Sequence, residues 1–172
     1  MPELKFEPLN KSFLSNNKFE FAIKRLPNLT YFVQSINLPG ITLLNTTVNN
    51  PFVATPIPGN QLAFGQLTAG YIVDENMESW SEIYEWITQL GNPQGFDKLG
   101  TLTKVSGKNN SIVSDATLII KTNANNPNIQ ISFKDLFPVE IGELSFSSID
   151  SGQDFITSSI TFGYTYYTIQ SI

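Results

Sequence analysis

The feature that most constrains the fold is "DFITSSITFGYTYYTI", residues 154–169, in which apolar and hydroxyl-bearing side chains alternate. Successive side chains of a strand point to opposite faces of its sheet. One face would carry Ile156, Ser158, Ile160, Phe162, Tyr164 and Tyr166, and the other Thr157, Ser159, Thr161, Thr165 and Tyr167. The stretch therefore predicts one long strand with a buried face and a hydroxyl-lined face.

Shorter runs of similar character, separated by Pro, Gly and Asn, predict further strands. They lie at 18–24, 31–36, 41–50, 61–74, 114–122, 128–133 and 143–149. The first two runs are predicted to form a hairpin, and so are 114–122 and 128–133. Gly65 and Gly70 are candidates for β-bulges. Residues 51–60, with three prolines and a glycine, predict an extended loop outside any sheet, either a rigid connector or a loop that reaches a neighbouring subunit.

One helix is predicted, over "NMESWSEIYEWITQLGNP", and Asp74 or Asn76 can cap it. Its apolar stripe would be Trp80, Ile83, Ile87 and Leu90, with Glu78, Glu82 and Glu85 on another face. Three regularly spaced glutamates suit acid–base catalysis, but no apolar sequence surrounds them to shift a pKa, which favours a solvated helix face. Residues 91–112 predict a long exposed loop.

Length and composition favour one domain. A chain of 172 residues with 41% hydrophobic content can bury one core. We expect an N-terminal arm over 1–17 and a single domain over 18–172. Its predicted class is mainly β, with two packed antiparallel sheets or a partly open β-barrel and one flanking α-helix.

The chain contains no cysteine and no histidine. This excludes disulfides, thiol nucleophiles, zinc sites built from Cys or His, and histidine bases. The stretch "GTLTKVSGK" lacks the spacing and ending of a phosphate-binding loop. No catalytic, cofactor-binding or metal-binding residue is therefore predicted, and the protein is not expected to be an enzyme.

The charge distribution argues against a nucleic-acid reader. Net charge is −5, and after Lys134 the charged residues are all acidic. They are Asp135, Glu140, Glu143, Asp150 and Asp154. A DNA- or RNA-binding surface needs a basic stripe. The start of the chain lacks a secretory pattern and no apolar run approaches the ~20 residues that span a bilayer, so we expect folding in a cytoplasm without membrane insertion.

Three short motifs follow one another in the C-terminal third. They are Leu136-Phe137-Pro138, Ile141-Gly142-Glu143-Leu144 and the aromatic run from Tyr164 to Ile169. With the Asn-rich hairpin before them and the Trp-containing helix that begins near Asp74, this order resembles the tail tube proteins of contractile-tailed bacteriophages. The resemblance covers most of the chain from Lys18 onward. The tubes of type VI secretion and other contractile injection machines share that fold.

The resemblance implies homohexameric rings that stack into a hollow tube inside a contractile sheath, through which DNA passes without specific binding. It also implies a place in the virion tail after assembly in the bacterial host cytoplasm. The partners would be other copies of the chain and sheath, baseplate or neck proteins. The long N-terminal lead-in and residues 51–60 depart from the pattern, which leaves open the main tube subunit or an end ring such as a tube initiator or a tail completion protein.

Two sets of residues would serve such a ring. The residues expected to face the lumen are Glu143, Ser145, Ser147, Thr157, Ser159 and Thr161. The residues expected in the core or at a subunit contact are Trp80, Ile83, Ile87, Leu136, Phe137 and Pro138. Leu136-Phe137-Pro138 would fill a sheet corner, and Pro138 would end the preceding strand. An acidic, hydroxyl-rich lumen would repel phosphate, so DNA would slide without sticking.

The competing interpretation is a monomeric β-sandwich that binds carbohydrate or protein, with Trp80, Trp86 or the tyrosines as stacking platforms. An enzyme is the third and weakest class, because no nucleophile–base pair or metal cluster is evident.

Overall fold

The computed structural model describes residues 11–91, 112–148 and 155–172. Nine strands and two helices lie within these ranges. They are β1 (Phe19–Ile23), α1 (Pro27–Phe32), β2 (Val33–Ile36), β3 (Ile41–Asn49), β4 (Ala54–Phe64), β5 (Leu67–Ile72), α2 (Glu78–Gly91), β6 (Ser114–Lys121), β7 (Pro127–Ile141), β8 (Thr157–Gly163) and β9 (Tyr166–Ser171). Most of the predicted arm, nearly all of the loop predicted at 91–112 and the turn at 150–152 lie outside the described residues.

Seven strands surround one core in an antiparallel arrangement. They follow the order β1-β6-β7-β8-β5-β2, and β9 also pairs with β7. The first part of β7 pairs with β6 and β9, whereas its last part pairs with β8. β7 thus belongs to two layers, β1-β6-β7-β9 and β2-β5-β8-β7. Among the described residues no pairing joins β1 to β2, so the barrel is partly open. The mainly β class predicted from the sequence is confirmed.

The core follows from the alternation of side chains along the strands. Leu67, Ala69 and Tyr71 of β5 are buried, while the residues between them are half-buried. Ile160 and Phe162 of β8 face the same interior, together with Phe133 and Leu136 of β7. The predicted pairing of 114–122 with 128–133 is confirmed as β6 and β7.

Leu136-Phe137-Pro138 lies inside β7, so the prediction that Pro138 ends a strand is wrong. β7 continues to Ile141, and Pro138 is paired with Phe162 of β8. The bend comes earlier, at Asp135, whose φ of 56° is left-handed. From Phe137 onward β7 pairs with β8 alone among the described residues, so a proline nitrogen can face the unpaired edge without losing a ladder bond.

The predicted long C-terminal strand is two strands, β8 and β9, because Tyr164 and Thr165 between them are not in strand conformation. β8 pairs with the end of β7 and β9 with its beginning, so the two strands belong to different layers. Alternation is as predicted along β8 and reverses after the break, where Tyr166 is exposed and Tyr167 packs on the core. Residues 143–148, predicted as a strand, are irregular.

The proline-rich segment pairs with a neighbouring strand, contrary to the predicted loop. β4 pairs with β3, with Pro56 opposite Thr47 and Pro58 opposite Asn45. The two prolines are two residues apart, so their nitrogens point to the same side of β4. Because β4 pairs with β3 alone among the strands that the structure describes, that side can be the open one, where a missing N–H removes no ladder bond.

The predicted N-terminal hairpin is also wrong. Residues 27–32 form α1, with Pro27 in its first turn and Leu29 buried, and they separate β1 from β2. β1 then pairs with β6 and β2 with β5. The bulge expected at Gly70 lies instead in β2, the strand that pairs with Gly70, between Val33 and Ser35. Gly65 lies between β4 and β5 rather than in a bulge.

α2 lies where the sequence predicts a helix, and Asp74 caps it. The Asp74 carboxylate accepts hydrogen bonds from the backbone N–H groups of Glu78 and Ser79, each 2.9 Å long. The buried face is Ser79, Ile83 and Trp86, so the centre of the apolar stripe is shifted from the predicted one.

The glutamate face of α2 is less uniform than predicted. Glu78 and Glu85 are exposed, but Glu82 is half-buried and accepts a 2.9 Å hydrogen bond from Asn28. Desolvation raises the pKa of Glu82, although the hydrogen bond from Asn28 opposes the shift. Asn28 belongs to α1, which packs beside α2 and where the sequence had predicted no helix.

Candidate functional site

A polar concavity is formed by residues of β2, β5 and β8 and by the end of β7 with the residues that follow it. Its volume is about 790 Å³, and we call it the polar trough. It is lined by Gln34, Ser35, Gly70, Tyr71, Glu140, Ile141, Gly142, Glu143, Thr157, Ser158 and Ser159. Four separate segments of the chain therefore contribute to one surface.

Gly142 holds the end of β7 against β8 at the bottom of the trough. Its N–H donates a 2.6 Å hydrogen bond to the Ser159 carbonyl, and the Ser158 hydroxyl donates to the Gly142 carbonyl at 3.1 Å. A Cβ at this position would lie 2.8 Å from the Ser159 hydroxyl and 2.9 Å from the Ser159 nitrogen. Only glycine permits this close approach, which places Glu143 beside the hydroxyls of β8.

The structure brings together part of the set predicted to face a lumen. Glu143, Thr157 and Ser159 line the trough. Thr161 follows them on the same face of β8, where it is paired with Glu140, but Thr161 itself does not line the trough. Ser145 and Ser147 are exposed in the irregular segment after β7. That these residues face the lumen of a ring stays a prediction.

Sequence reasoning missed Glu140, Gln34 and Ser35 as members of this surface. The pairing register between β7 and β8 shifts between Pro138 and Glu140. Counting alternate residues along the sequence therefore cannot predict the face on which Glu140 lies. Gln34 lies in the bulge of β2, a strand that the sequence had placed in a hairpin with β1. The alternation of β8 was detectable because β8 is regular over its whole length.

The trough is acidic and rich in hydroxyl groups. Glu140 and Glu143 are its charged lining residues, and both are exposed. Burial raises the pKa of the Tyr71 hydroxyl at the trough floor. Across the described parts of the chain, no three acidic side chains come close enough to hold a metal ion. The surface suits the repulsion of phosphate better than the binding of an anion.

The second predicted set lies partly in the core. Ile83, Leu136 and Pro138 are buried, while Trp80 and Ile87 are half-buried and pack against the core. Phe137 is 39% exposed, and its ring fills the space beside Gly163. Contact with another subunit stays a prediction for the exposed members of this set.

A second surface is the ribbon, which we define as β3, β4 and the turn between them, residues 41–64. Apart from Gly59 and Phe64, every ribbon residue is exposed. Its large exposed apolar side chains are Ile41, Leu43, Leu44, Val48, Phe52, Val53, Ile57 and Leu62. This surface includes the segment for which the sequence left a rigid connector and a neighbour-reaching loop as alternatives.

Aromatic rings anchor the base of the ribbon to the body. Phe64 contacts Tyr167 at 5.6 Å and Tyr164 at 6.1 Å between ring centroids, and both tyrosines contact the buried Phe133. The Tyr167 hydroxyl donates a 3.1 Å hydrogen bond to the Pro39 carbonyl. The ribbon is therefore fixed at its base and exposed along its length.

In the ranges that the structure describes, no helix has both the length and the apolar character needed to cross a membrane.

Comparison with known sequences identifies a family and a relative of this chain. The sequence matches the family described as phage tail tube protein over residues 3–170. It is 27% identical over 148 residues to the tail tube terminator protein of Enterobacteria phage T4, which covers 82% of this chain and 78% of that protein.

Solved structures with the same fold come from contractile injection systems. The tube-terminating cap of the anti-feeding prophage superposes with a TM-score of 0.68 at 16% identity, over 100% of both chains. The sheath/tube terminator of the extracellular contractile injection system PVC superposes with a TM-score of 0.65 at 15% identity, over 93% of this chain and 98% of that chain. At these identities the likeness concerns the fold.

Proposed function

The chain belongs to the phage tail tube protein family, and from this premise we propose that it forms a hexameric ring at the end of a tail tube through which DNA passes. The family makes it a structural component of a phage tail. The assignment to the end of the tube rests on the identity to the T4 terminator over most of both chains. This observation favours an end ring over the main repeating subunit.

Ring closure is supported by the edges of the layer that carries the trough. That layer runs β2-β5-β8-β7, and among described residues β2 has no second partner and the last part of β7 pairs only with β8. Unpaired strand edges are templates for pairing with another chain. Joining these two edges between identical neighbours around a rotation axis would remove both of them.

Such a ring would place the polar trough on its inner wall. Glu140 and Glu143 from each subunit would line the channel together with the hydroxyls of β8. DNA phosphates passing through would be repelled rather than held, since affinity for DNA comes largely from basic residues that neutralise phosphates. The end ring would also meet tail sheath or neck proteins, after assembly in the host cytoplasm.

The alternative function, a carbohydrate-binding module, would need exposed aromatic rings, and the two tryptophans were its main candidates. Trp86 is 1% exposed, and the Arg25 guanidinium lies 4.6 Å from the centre of its ring. Trp80 is half-buried and stacks on Tyr84. A sugar platform needs an open aromatic face, so neither tryptophan supports that function.

Electron microscopy of the purified full chain, with its mass measured by light scattering, tests the proposal. We expect six-fold rings with an open centre. Circular dichroism of the same preparation verifies that the chain is folded. A monomer that neither forms rings nor binds the end of a purified tail tube would contradict the proposed function.

A further inference from the structure

The short helix α1 depends on its contacts with the rest of the molecule. It has six residues, and in the part of the chain that the structure describes no side chain caps its N-terminus. A helix of this length is unstable alone. α1 packs on β1, β5 and α2, with Leu29 buried. Because α1 ends at Phe32 and β2 begins at Val33, a movement of α1 would also move the start of β2.

One polar contact joins α1 to α2. The side-chain amide of Asn28 donates a 2.9 Å hydrogen bond to Oε1 of Glu82. The other carboxylate oxygen, Oε2, is buried without a hydrogen bond to any described residue. Glu82 also lines a cleft of about 390 Å³ together with Leu26 and Pro27, at the start of α1. A movement of α1 away from α2 would therefore expose Glu82 to water.

The charged form of Glu82 is poorly suited to this position. A carboxylate oxygen that is buried without a partner costs free energy, whereas a protonated carboxyl group carries no net charge. Desolvation accordingly raises the pKa of Glu82 above 4.5, and the hydrogen bond from Asn28 only partly opposes the rise. Repulsion from Glu78, Asp74 and Glu85 adds to it.

Two cations lie in the same cleft and do not reverse this effect. Lys24 and Arg25 both line the cleft. The Arg25 guanidinium donates a 2.8 Å hydrogen bond to Gln89 and lies 4.6 Å from the centre of the Trp86 ring. Gln89 is seven residues beyond Glu82 on α2, about 10 Å along the helix axis. Arg25 is thus held toward the C-terminal end of α2, and the pKa of Glu82 remains raised.

The elements packed against α2 carry few other charges. α1 has no charged residue, and its one titratable side chain, Tyr31, is 82% exposed. On β7, the Lys134 ammonium is bonded to Asp115 at 2.8 Å, Asp135 is exposed and Glu140 lines the trough. The protonation of Glu82 is therefore governed by its burial against α1 and by the carboxylates of its own helix and cap.

We propose that Glu82 and Asn28 form a proton-controlled clasp, which holds α1 against α2 when Glu82 is protonated and loosens when Glu82 is charged. Since β2 follows α1 directly, the clasp also sets how firmly the ring edge at β2 is held. The clasp stands on the contacts of a single subunit, whereas its link to assembly rests on the proposed ring.

The direction of the pH effect follows from proton linkage. A carboxyl group whose pKa is higher in the closed clasp than in water binds its proton more tightly in the closed state. The closed state therefore gains stability as pH falls through the raised pKa toward 4.5, and it loses this gain as pH rises. The pKa of Asp74 is lowered to about 2, so its opposite effect falls below pH 3.8, in a separate range.

Hydrogen exchange of the full chain, measured by mass spectrometry and corrected for intrinsic rates, tests the clasp. On going from pH 8 to pH 4.5, we expect the protection of α1 and the start of β2 to rise roughly 2- to 10-fold, the equivalent of one net hydrogen bond. Glu82→Gln is neutral at every pH and keeps an acceptor for Asn28, so its protection should be high throughout. The matched control is Glu85→Gln, an exposed position on the same helix, which should keep the pH dependence.

A pH dependence that is the same in Glu82→Gln and in the unaltered chain would overturn the clasp. Asn28→Asp gives a second test, because it places another carboxylate opposite Glu82 and should lower the protection of α1 at pH 8. Unchanged protection in this variant would also count against the clasp. Circular dichroism verifies that each variant is folded.

Electron microscopy at both pH values separates this inference from the proposed function. We expect more rings at pH 4.5 than at pH 8 for the unaltered chain, and equal numbers for Glu82→Gln. Rings that form equally at both pH values in the unaltered chain would overturn the link to β2 and leave the ring intact. The expected exchange pattern without rings at either pH would support the clasp and contradict the proposed ring.

Discussion

Gly142 shows how one residue without a side chain shapes the trough. A methyl group there would press on the Ser159 backbone and on two serine hydroxyls within 3.0 Å. We expect Gly142→Ala to lower the free energy of unfolding by about 1–3 kcal/mol, as overpacking does. Gly91→Ala is the matched control, because no atom of the described residues, apart from its chain neighbours and the backbone of its own helix, lies within 4 Å of the added carbon. Urea denaturation measures both, and equal stability of the two variants would contradict the close approach.

Tyr164 and Tyr167 offer a second comparison at the residue scale. The Tyr164 hydroxyl is buried without a hydrogen bond to any described residue, and desolvation raises its pKa. The Tyr167 hydroxyl is bonded to the Pro39 carbonyl. Tyr164→Phe should therefore leave the free energy of unfolding unchanged or raise it, whereas Tyr167→Phe should lower it by about 0.5–1.5 kcal/mol.

Thermal and urea unfolding of the two phenylalanine variants decide the matter, because each loses one oxygen from the same aromatic cluster. A larger loss for Tyr164→Phe than for Tyr167→Phe would show that the buried Tyr164 hydroxyl has a partner. Sequence reasoning could place neither hydroxyl. It gave Tyr164 and Tyr167 opposite faces, yet both pack on Phe133 because the chain turns between β8 and β9.

At the scale of elements, α2 depends on its cap. Burial of the Asp74 carboxylate would raise its pKa, but hydrogen bonds from the Ser79 hydroxyl and from the N–H groups of Ser79 and Glu78 outweigh this and lower the pKa from 3.8 to about 2. A lowered pKa means that the carboxylate stabilises the fold above pH 3.8 and that this contribution is lost as pH falls toward 2.

Replacing Asp74 should therefore change both stability and its pH dependence. Asp74→Ala is expected to cost about 0.5–2 kcal/mol at neutral pH, the usual value for an N-terminal cap. Asp74→Asn should flatten the acid limb of the stability curve, measured by urea unfolding from pH 5 to pH 2. Glu75→Gln, at an exposed neighbouring position, serves as the control. An acid limb unchanged in Asp74→Asn would refute the role of this carboxylate.

The elements that could be predicted are those whose signals are local. α2, the pairing of 114–122 with 128–133 and the alternation along β8 have regular periodicity, and the sequence predicted each of them, although it ended the second run at 133 and joined β8 to β9. β4 could not be predicted, because whether Pro56 and Pro58 are tolerated depends on which edge of the strand is free. The bend at Asp135 was misplaced to Pro138 for a related reason, since a left-handed conformation at an aspartate leaves little trace in sequence.

At the scale of the whole molecule, the mainly β class and the family could be predicted, but the assembly of the trough could not. Gln34, Glu140 and Thr157 are far apart in sequence, and they meet because β7 changes partners between two layers. A pattern within one strand shows which side chains share a face, but not which strands will be neighbours. The acidic C-terminal third of the sequence predicted that the trough would be acidic, but it did not predict all of the residues that line the trough.

That charge gives the final prediction, which concerns the ring as a whole. If Glu143 faces the channel, Glu143→Lys would convert a repulsive ring of carboxylates into a ring of cations that hold DNA phosphates. We expect rings of normal appearance and slower DNA release from particles that carry the variant, with release recovering at higher salt because ions screen the attraction. Glu75→Lys makes the same charge change at an exposed position before α2 and should release DNA at the unaltered rate. Equal release by the two variants would place Glu143 outside the channel, whereas a defect confined to Glu143→Lys and relieved by salt would mean that the acidic trough lines the path of the DNA.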